Sequence, residues 1–410
     1  MITSKEREVI RELAKKQLEA ANSPKNLERI ALWKRHNALK GERPVIHIEI
    51  DNFVKETITP RMQCESPVAR WIEGRLWHSM INLTEFDDDK VIPDYLGIWV
   101  DRNYNPLGFN IQTHQASDGG LGHQFEHLIS DLGEEFDKIK KSEFSMKDDE
   151  FQEHFDVATD MIGDIMPVKR VMKSLFCPLT QDVVHIMGLE NMLYALYDYP
   201  EELKQMIEMI ADGYIAHHEM LEKNGYLMPT TGFEETNQGS LSFTDELPSE
   251  GPVTVGQVWG FMDSQETVGV SREMFEEIVW PAYHRLGQTF GLLSYGCCEP
   301  LDPVWDLVSQ FPNLRKASVS AWANEEKMGE YLRGTKTIYQ RKPSPNFLGV
   351  GEKLDEDAWR EHIAHTLRCA QGCKLEMTVR DVYTIHNDIS KVQRAVQIMR
   401  EEIAKHWHES

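Results

Sequence analysis

The spacing of apolar residues changes period along this chain, and the changes mark its elements. From Ser4 to about Leu39 the apolar positions follow a helical period among many charges, which predicts one or two amphipathic helices on the outside of a fold. The period then drops to two. Arg43-Pro44-Val45-Ile46-His47-Ile48-Glu49-Ile50-Asp51-Asn52 alternates like a strand and puts His47, Glu49 and Asp51 on one face. That face is either a solvated strand side or the polar lining of a strand mouth. Further strands are predicted over residues 95–101, 182–187 and 257–263, in the run ending Tyr295-Gly296-Cys297-Cys298, and over 314–322, 336–343 and 374–380. Helical patterns over 272–290, 302–310, 325–332 and 356–369 fall between the later strands. This alternation with short connections predicts parallel βα units. A count of eight strands favours a (β/α)8 TIM barrel, an α/β fold, over an open sheet.

Two stretches break the alternation. Residues 104–175 are rich in Asp, Glu, Lys and Gly and are expected to form a helical insertion. Residues 229–254 form a long loop by the usual lengths, of the kind that serves as a lid or stays disordered. No linker divides the chain, so residues 1–410 are read as one barrel domain, with residues 1–40 as a helical N-terminal extension.

In a parallel barrel the reactive side chains sit at the C-terminal ends of strands. Four such ends are polar here: Asp263-Ser264-Gln265-Glu266, Cys297-Cys298-Glu299, Arg341-Lys342 and Arg380-Asp381. Polar strand ends are often merely solvated, so each alone is weak. A cysteine in a strand is most often a small core residue, the default for Cys64, Cys177 and Cys369. Cys297 and Cys298 are different, because neighbours on a strand point to opposite faces and one can face the interior. Cys373, in Gly372-Cys373, borders a second apolar run. Converging thiols are the usual raw material of a zinc site.

The segment Val258-Trp259-Gly260-Phe261-Met262-Asp263-Ser264-Gln265-Glu266, then Val270-Ser271-Arg272-Glu273-Met274-Phe275 and Tyr295-Gly296-Cys297, resembles the uroporphyrinogen decarboxylase superfamily. So does Gly188-Leu189-Glu190-Asn191-Met192-Leu193 running into Tyr197-Asp198-Tyr199-Pro200-Glu201. The resemblance implies a (β/α)8 barrel and one of two chemistries. The decarboxylases bind porphyrinogen carboxylates through Met-Arg-Gln-Ala-Gly-Arg, and nothing here matches it. The other branch comprises zinc methyltransferases that work with methyl-corrinoid proteins. Their His-x-Cys element is matched by Tyr295-Gly296-Cys297, with tyrosine in place of histidine, and their Gly-Cys element by Gly372-Cys373.

The resemblance therefore implies a methyltransferase or demethylase component that moves a methyl group between a small methylated substrate and a corrinoid (cobalamin). The corrinoid would be carried on a partner protein or bound directly. Cys297 and Cys373 would hold zinc, with Cys298 or Glu299 as a further ligand. Alternatively Tyr295 would serve as a phenol acid in a metal-free site. Tyr295 and Glu299 are the expected catalytic residues, and Glu49, Trp259, Asp263, Gln265 and Arg341 the expected substrate pocket. Two alternatives stay open: a metal-free decarboxylase or lyase acting on a small carboxylate, with Arg341 or Arg380 as its clamp, and a non-catalytic corrinoid or tetrapyrrole binder.

Composition narrows the partners. The chain has 410 residues, 41% of them hydrophobic, enough for a sizeable core. A net charge of -23 argues against nucleic acid and anionic membranes as partners. The charged start, Met1-Ile2-Thr3-Ser4-Lys5-Glu6-Arg7-Glu8, lacks the apolar core of a secretory signal. Six cysteines, two of them adjacent, do not look like a disulfide framework. Together these predict a reduced, cytoplasmic protein, with a homodimer suggested by the superfamily.

Overall fold

The computed structural model describes residues 2–115 and 123–408. Helix α1 (Ser4–Ala21) begins in a reciprocal cap: Thr3 Oγ1 accepts from the Glu6 N–H at 3.2 Å, and the Glu6 carboxylate accepts from the Thr3 N–H at 2.8 Å. Helix α2 (Pro24–Asn37) is capped by Ser23 and carries proline in its first turn, where no N–H is needed. Both lie within the expected N-terminal helical stretch.

Nine short strands then run in parallel ladders: β1 (Val45–Ile48), β2 (Leu96–Ile98), β3 (Val168–Arg170), β4 (Leu175–Phe176), β5 (Trp259–Met262), β6 (Leu292–Tyr295), β7 (Leu314–Val319), β8 (Ile338–Arg341) and β9 (Leu375–Val379). Seven of them form one all-parallel sheet in the order β1-β9-β8-β7-β6-β5-β4. β2 and β3 pair with each other, also in parallel. The fold is thus α/β with a large parallel sheet. Among the described residues no ladder joins the β2·β3 pair to either end of the seven-stranded arc, so hydrogen bonding alone does not close the expected ring of eight.

Consecutive strands from β5 to β9 are neighbours, and helices cover their outer side, as the alternation predicted. Helix α3 (Pro67–Ile81) packs against α1, and the helical layer includes α4 (Leu179–Met187), α5 (Pro200–Lys223), α6 (Glu325–Leu332), α7 (Glu356–Cys369) and α8 (Ile389–His406). Packing is close at Gly260, where a Cβ would lie 2.1 Å from the Phe290 ring. Among the described residues no helix is long and apolar enough to cross a membrane.

Three segments differ from their expected form. Residues 182–187 are helical, within α4, and the strand at that place in the sheet is Leu175–Phe176 instead. Their apolar run is the buried side of a short helix, which periodicity cannot tell from a strand over so few residues. The stretch 104–175 holds a helix at Asp148–Ile162, but much of it is antiparallel: Arg102–Asn105 pairs with Glu143–Met146, and Thr113–Gln115 with His123–Phe125. Tertiary stacking decides this, with Tyr104 against Phe144 at 4.4 Å and Phe144 against His217 at 4.0 Å.

Residues 229–254 are neither a lid nor a disordered loop, because their middle part packs onto the inner face of the sheet. Asn237 Nδ2 donates to Ser294 Oγ at 2.6 Å and to Gln340 Oε1 at 2.5 Å, and Gln340 Nε2 donates back to Asn237 Oδ1 at 2.8 Å. Lys316 Nζ donates to Ser240 Oγ, and Gly239 O contacts His47 Nδ1. The inner face is polar for this reason. Inward positions carry His47, Ser294, Lys316, Gln340 and Glu376, which would be costly to bury without partners. Glu376 is held by Lys316 and His36, each at 3.1 Å, and although burial opposes it, they keep its carboxyl at about 2.

Candidate functional site

The C-terminal edges of β5, β6, β8 and β9 meet around Cys297. β6 ends at Tyr295, and the chain turns at Gly296 with φ of +96°, where a Cβ would also press Leu301 and Ser318 at 3.0 Å. The turn places the thiols of Cys297 and Cys298 3.5 Å apart. It is pinned by Glu299, whose carboxylate accepts from the N–H of Cys297 at 2.9 Å and of Ser264 at 2.8 Å. Glu299 thus ties the end of β6 to the end of β5.

Cations arrive from β8 and β9. Arg380 Nη1 lies 3.6 Å from Cys297 Sγ, and its guanidinium pairs with Asp381 at 3.0 Å. Lys342 Nζ donates to Cys297 O at 3.0 Å and to Gln238 Oε1 at 3.1 Å. Gln238, from the segment on the inner face, also accepts from Arg380. The Cys298 thiol, Lys342 and Arg380 all favour the charged form of Cys297 and pull it down to about 5, while burial opposes them. Cys298 is pushed far up, because it bonds to that thiolate and is itself desolvated.

Asp263, at the end of β5, is 1% exposed, and neither carboxyl oxygen has a hydrogen-bond partner. Burial, then the charges of Glu299 and Cys297, raise it well above the usual carboxylate range. A buried carboxyl kept protonated beside a thiolate is a proton donor in waiting. Across the mouth, Glu49 lies 3.9 Å from Arg380 Nε and accepts from the N–H of Asp51 at 2.5 Å. Burial and the Asp51 charge raise Glu49 to about 7. Asp51 in turn lines a cleft of about 540 Å³ whose walls include Trp71, Tyr95, Trp99, Lys90 and Glu235. A chain of contacts therefore runs from Cys297 through Arg380 and Glu49 to an open cleft.

Of the expected residues, Glu49, Asp263, Cys297, Cys298 and Glu299 come together. Gln265 sits half-buried on the turn after β5, beside Glu266. Three others lie elsewhere. Trp259 begins β5, at the opposite edge of the sheet, and its indole N–H donates to Ser242 O at 3.0 Å. Arg341 points outward into the layer between sheet and helices, where it pairs with Glu325 at 2.5 Å. Its neighbour Lys342 takes the inward position, because adjacent strand residues face opposite sides. Tyr295 also packs outward, 6.1 Å from the Tyr283 ring and 5.8 Å from that of Phe311, and its hydroxyl donates to Ser264 Oγ at 3.0 Å. Burial raises its pKa well above that of a free phenol, which makes it a weak acid.

The expected pairing of Cys297 with Cys373 requires correction. Cys373 precedes β9, and its thiol donates to Gly329 O at 3.5 Å. Cys297 follows β6, so the two lie at opposite edges of a parallel sheet, separated by strands that rise about 3.3 Å per residue. The last strand does bring a group to Cys297, but it is the guanidinium of Arg380. With a cation at the thiolate and both Glu299 oxygens engaged by backbone N–H groups, these residues do not fit a zinc ion. Lys342, Arg380 and Gln238 complete the site. The parity of β8 and β9 could have flagged the first two. Nothing in the sequence signals Gln238, whose place depends on a long segment packing inside the sheet.

Reactivity of Cys297 follows from this arrangement. Alkylation by iodoacetamide should centre on Cys297 and stay fast from pH 8 to pH 6. It should slow only as pH falls through about 5, where the thiolate takes up its proton. Peptide mapping across pH checks it, and a rate that falls steeply between pH 8 and pH 7 would show an ordinary thiol.

No family model matches the chain, and no curated protein matches its sequence. Among solved structures, a methyltransferase from Methanosarcina mazei is similar with a TM-score of 0.52 at 10% identity, over 91% of this chain and 97% of that one. At that identity the likeness speaks to the fold.

Proposed function

We propose that the protein is a methyltransferase of the uroporphyrinogen-decarboxylase-like kind, with its βα units arranged as a barrel. It would move a methyl group from a small methylated substrate to a reduced corrinoid on a partner protein. The observation that carries this reading is Asp263: a buried, unpartnered carboxyl kept protonated at the strand ends beside the Cys297 thiolate. Methyl transfer to a nucleophilic acceptor needs a proton on the heteroatom that leaves. In the step, the acceptor's electron pair bonds the methyl carbon and the carbon–heteroatom bond breaks. Its electrons stay on the heteroatom, which takes the Asp263 proton, and solvent then reprotonates Asp263. Glu299 and the Cys297 thiolate keep that proton in place by their negative charge. Arg380 and Lys342 balance the thiolate and hold the mouth together.

The rim suits a protein partner. Val268, Trp322, Val350 and Tyr383 follow the ends of β5, β7, β8 and β9, and all are exposed. Exposed large apolar side chains that follow strand ends would give a partner protein something to dock on. The structural likeness to a methyltransferase supports the same reading at the level of fold.

A second reading is favoured by Arg380, whose buried Nε has no hydrogen-bond partner and which lies close to Lys342. Together they suit a small carboxylate, as in a metal-free lyase or decarboxylase. One assay separates the two. Purified protein is given free reduced cobalamin and a panel of small methyl ethers, thioethers, amines and methylated carboxylates. Methylcobalamin formation supports methyl transfer, whereas release of carbon dioxide without cobalamin turnover supports the second reading.

A further inference from the structure

A set of metal-ligand side chains lies on the outer helical layer, away from the mouth. His365 and Cys369 stand four residues apart on α7 and so share one face of that helix. Glu326, from the first turn of α6, meets them. His365 Nε2 is 3.5 Å from Glu326 Oε1 and 3.5 Å from Cys369 Sγ, and all three donor atoms lie within 4.8 Å of one another.

These separations decide what the cluster suits. With zinc bonds of about 2.3 Å to sulfur, about 2.0 Å to nitrogen and about 2.1 Å to oxygen, a tetrahedron puts sulfur and nitrogen about 3.5 Å apart and nitrogen and oxygen about 3.3 Å apart. Two of the three edges are already at that spacing. The third closes by a rotation of Glu326, which is exposed and free to make it. Hydrogen bonding explains the cluster less well. A neutral Nε2 carries either a proton or a lone pair, so it cannot accept from the thiol and donate to the carboxylate at once. A cation bound to all three satisfies every donor. The neighbouring residues fix the frame: Thr366 Oγ1 donates to Glu325 Oε2 at 2.6 Å, and Glu325 pairs with Arg341 at 2.5 Å. α6 and α7 are therefore held in register just beneath the donors.

We infer that Glu326, His365 and Cys369 form a binding site for a single divalent zinc-type cation that braces α6 against α7, with its fourth position open to water. The site is separate from the methyl-transfer reading and stands or falls without it.

Cobalt(II) is the probe, because a cobalt–thiolate bond gives a charge-transfer band that oxygen and nitrogen ligands do not. Full-length protein, reduced and stripped of metal, is titrated with cobalt(II) and then with zinc. The expected result is one equivalent of cobalt with the thiolate band, displaced by zinc. Cys369→Ser should lose the band, and His365→Ala should weaken binding at least tenfold. Cys297→Ser should keep the band. The inference is overturned if the wild type shows no thiolate band, or if the band survives Cys369→Ser and disappears in Cys297→Ser. Because His365 and Glu326 are solvent-accessible, a melting curve read with and without zinc serves as a second measurement. Zinc should raise the melting temperature of the wild type and leave that of Cys369→Ser unmoved, and equal shifts in both would also overturn it.

Discussion

Replacing Asp263 by asparagine should cost methyl transfer at least about 100-fold, within the usual range of 10² to 10⁴ for loss of a positioned general acid. The amide is nearly isosteric, and in the native protein both carboxyl oxygens lack hydrogen-bond partners, so the fold should survive. Its stability should not fall, because the native carboxyl is buried at a cost that the amide does not exceed. The pH profile gives a finer reading. Wild-type activity should fall as pH rises through the elevated pKa of Asp263, where the proton is lost. Cys297→Ser removes a negative charge that helps raise that pKa, so its activity should fall at lower pH than in the wild type. Steady-state rates of the three proteins across pH measure both effects. An Asp263→Asn variant with half the wild-type rate would remove Asp263 from the chemistry.

The largest effect on stability should come from Arg341→Ala. The guanidinium is 2% exposed and the Glu325 side chain 7%, and Arg341 also donates to the carbonyl oxygens of Val319 at 3.2 Å and Ser320. Removing it leaves the buried Glu325 carboxylate without its counter-charge, held only by Thr366 Oγ1, while the carbonyl oxygens of Val319 and Ser320 keep the N–H groups of Lys342 and Ala323. Breaking such a pair costs about 3–5 kcal/mol, a large share of the total stability of a domain. Urea unfolding should show a lower midpoint with an unchanged slope, and a double substitution with Glu325→Gln should recover part of the loss. Because Arg341 lies behind the sheet, the KM of the surviving folded enzyme should stay within about twofold of the wild type. A KM increase of tenfold without loss of stability would return Arg341 to the substrate pocket.

These two residues also show how far the sequence could be read. Asp263 was legible because it directly follows an apolar strand, where a parallel barrel carries its reactive groups, although such ends are often merely solvated. Glu49 was read from the alternation of the first strand, Glu299 from a polar strand end, and Cys297 and Cys298 from strand parity and the resemblance, and the structure brings them together. Arg341 was misplaced by one residue of strand phase. Alternation sets which neighbours share a face, but the absolute phase depends on what covers each side, and that is a tertiary fact. Here both faces of β8 carry polar groups, with Gln340 and Lys342 inside and Arg341 outside, so hydrophobicity could not set the phase. Cys373 failed for a related reason. A cysteine at the border of a strand signals the strand, but only its position before or after the apolar run tells which edge of a parallel sheet it occupies. Residues 229–254 looked like solvent-facing loop because they are polar. They are polar because they satisfy a polar inner face, a pairing that no local pattern reveals. The helices over 325–332 and 356–369 were among the most legible parts, and in the structure Asn324 and Asp355 cap them.

On the proposed reading this mouth works with a proton and needs no bound metal. The most direct measurement is the methyl-transfer rate to free reduced cobalamin after exhaustive chelation, read before and after zinc is restored, in the wild type and in Cys369→Ser. Chelated and zinc-restored proteins are predicted to turn over at the same rate within about twofold, with loss of activity as pH rises, as a general acid requires. If chelation abolishes transfer and zinc restores it in both proteins, the mouth itself uses the metal, and the role given to Asp263 is wrong.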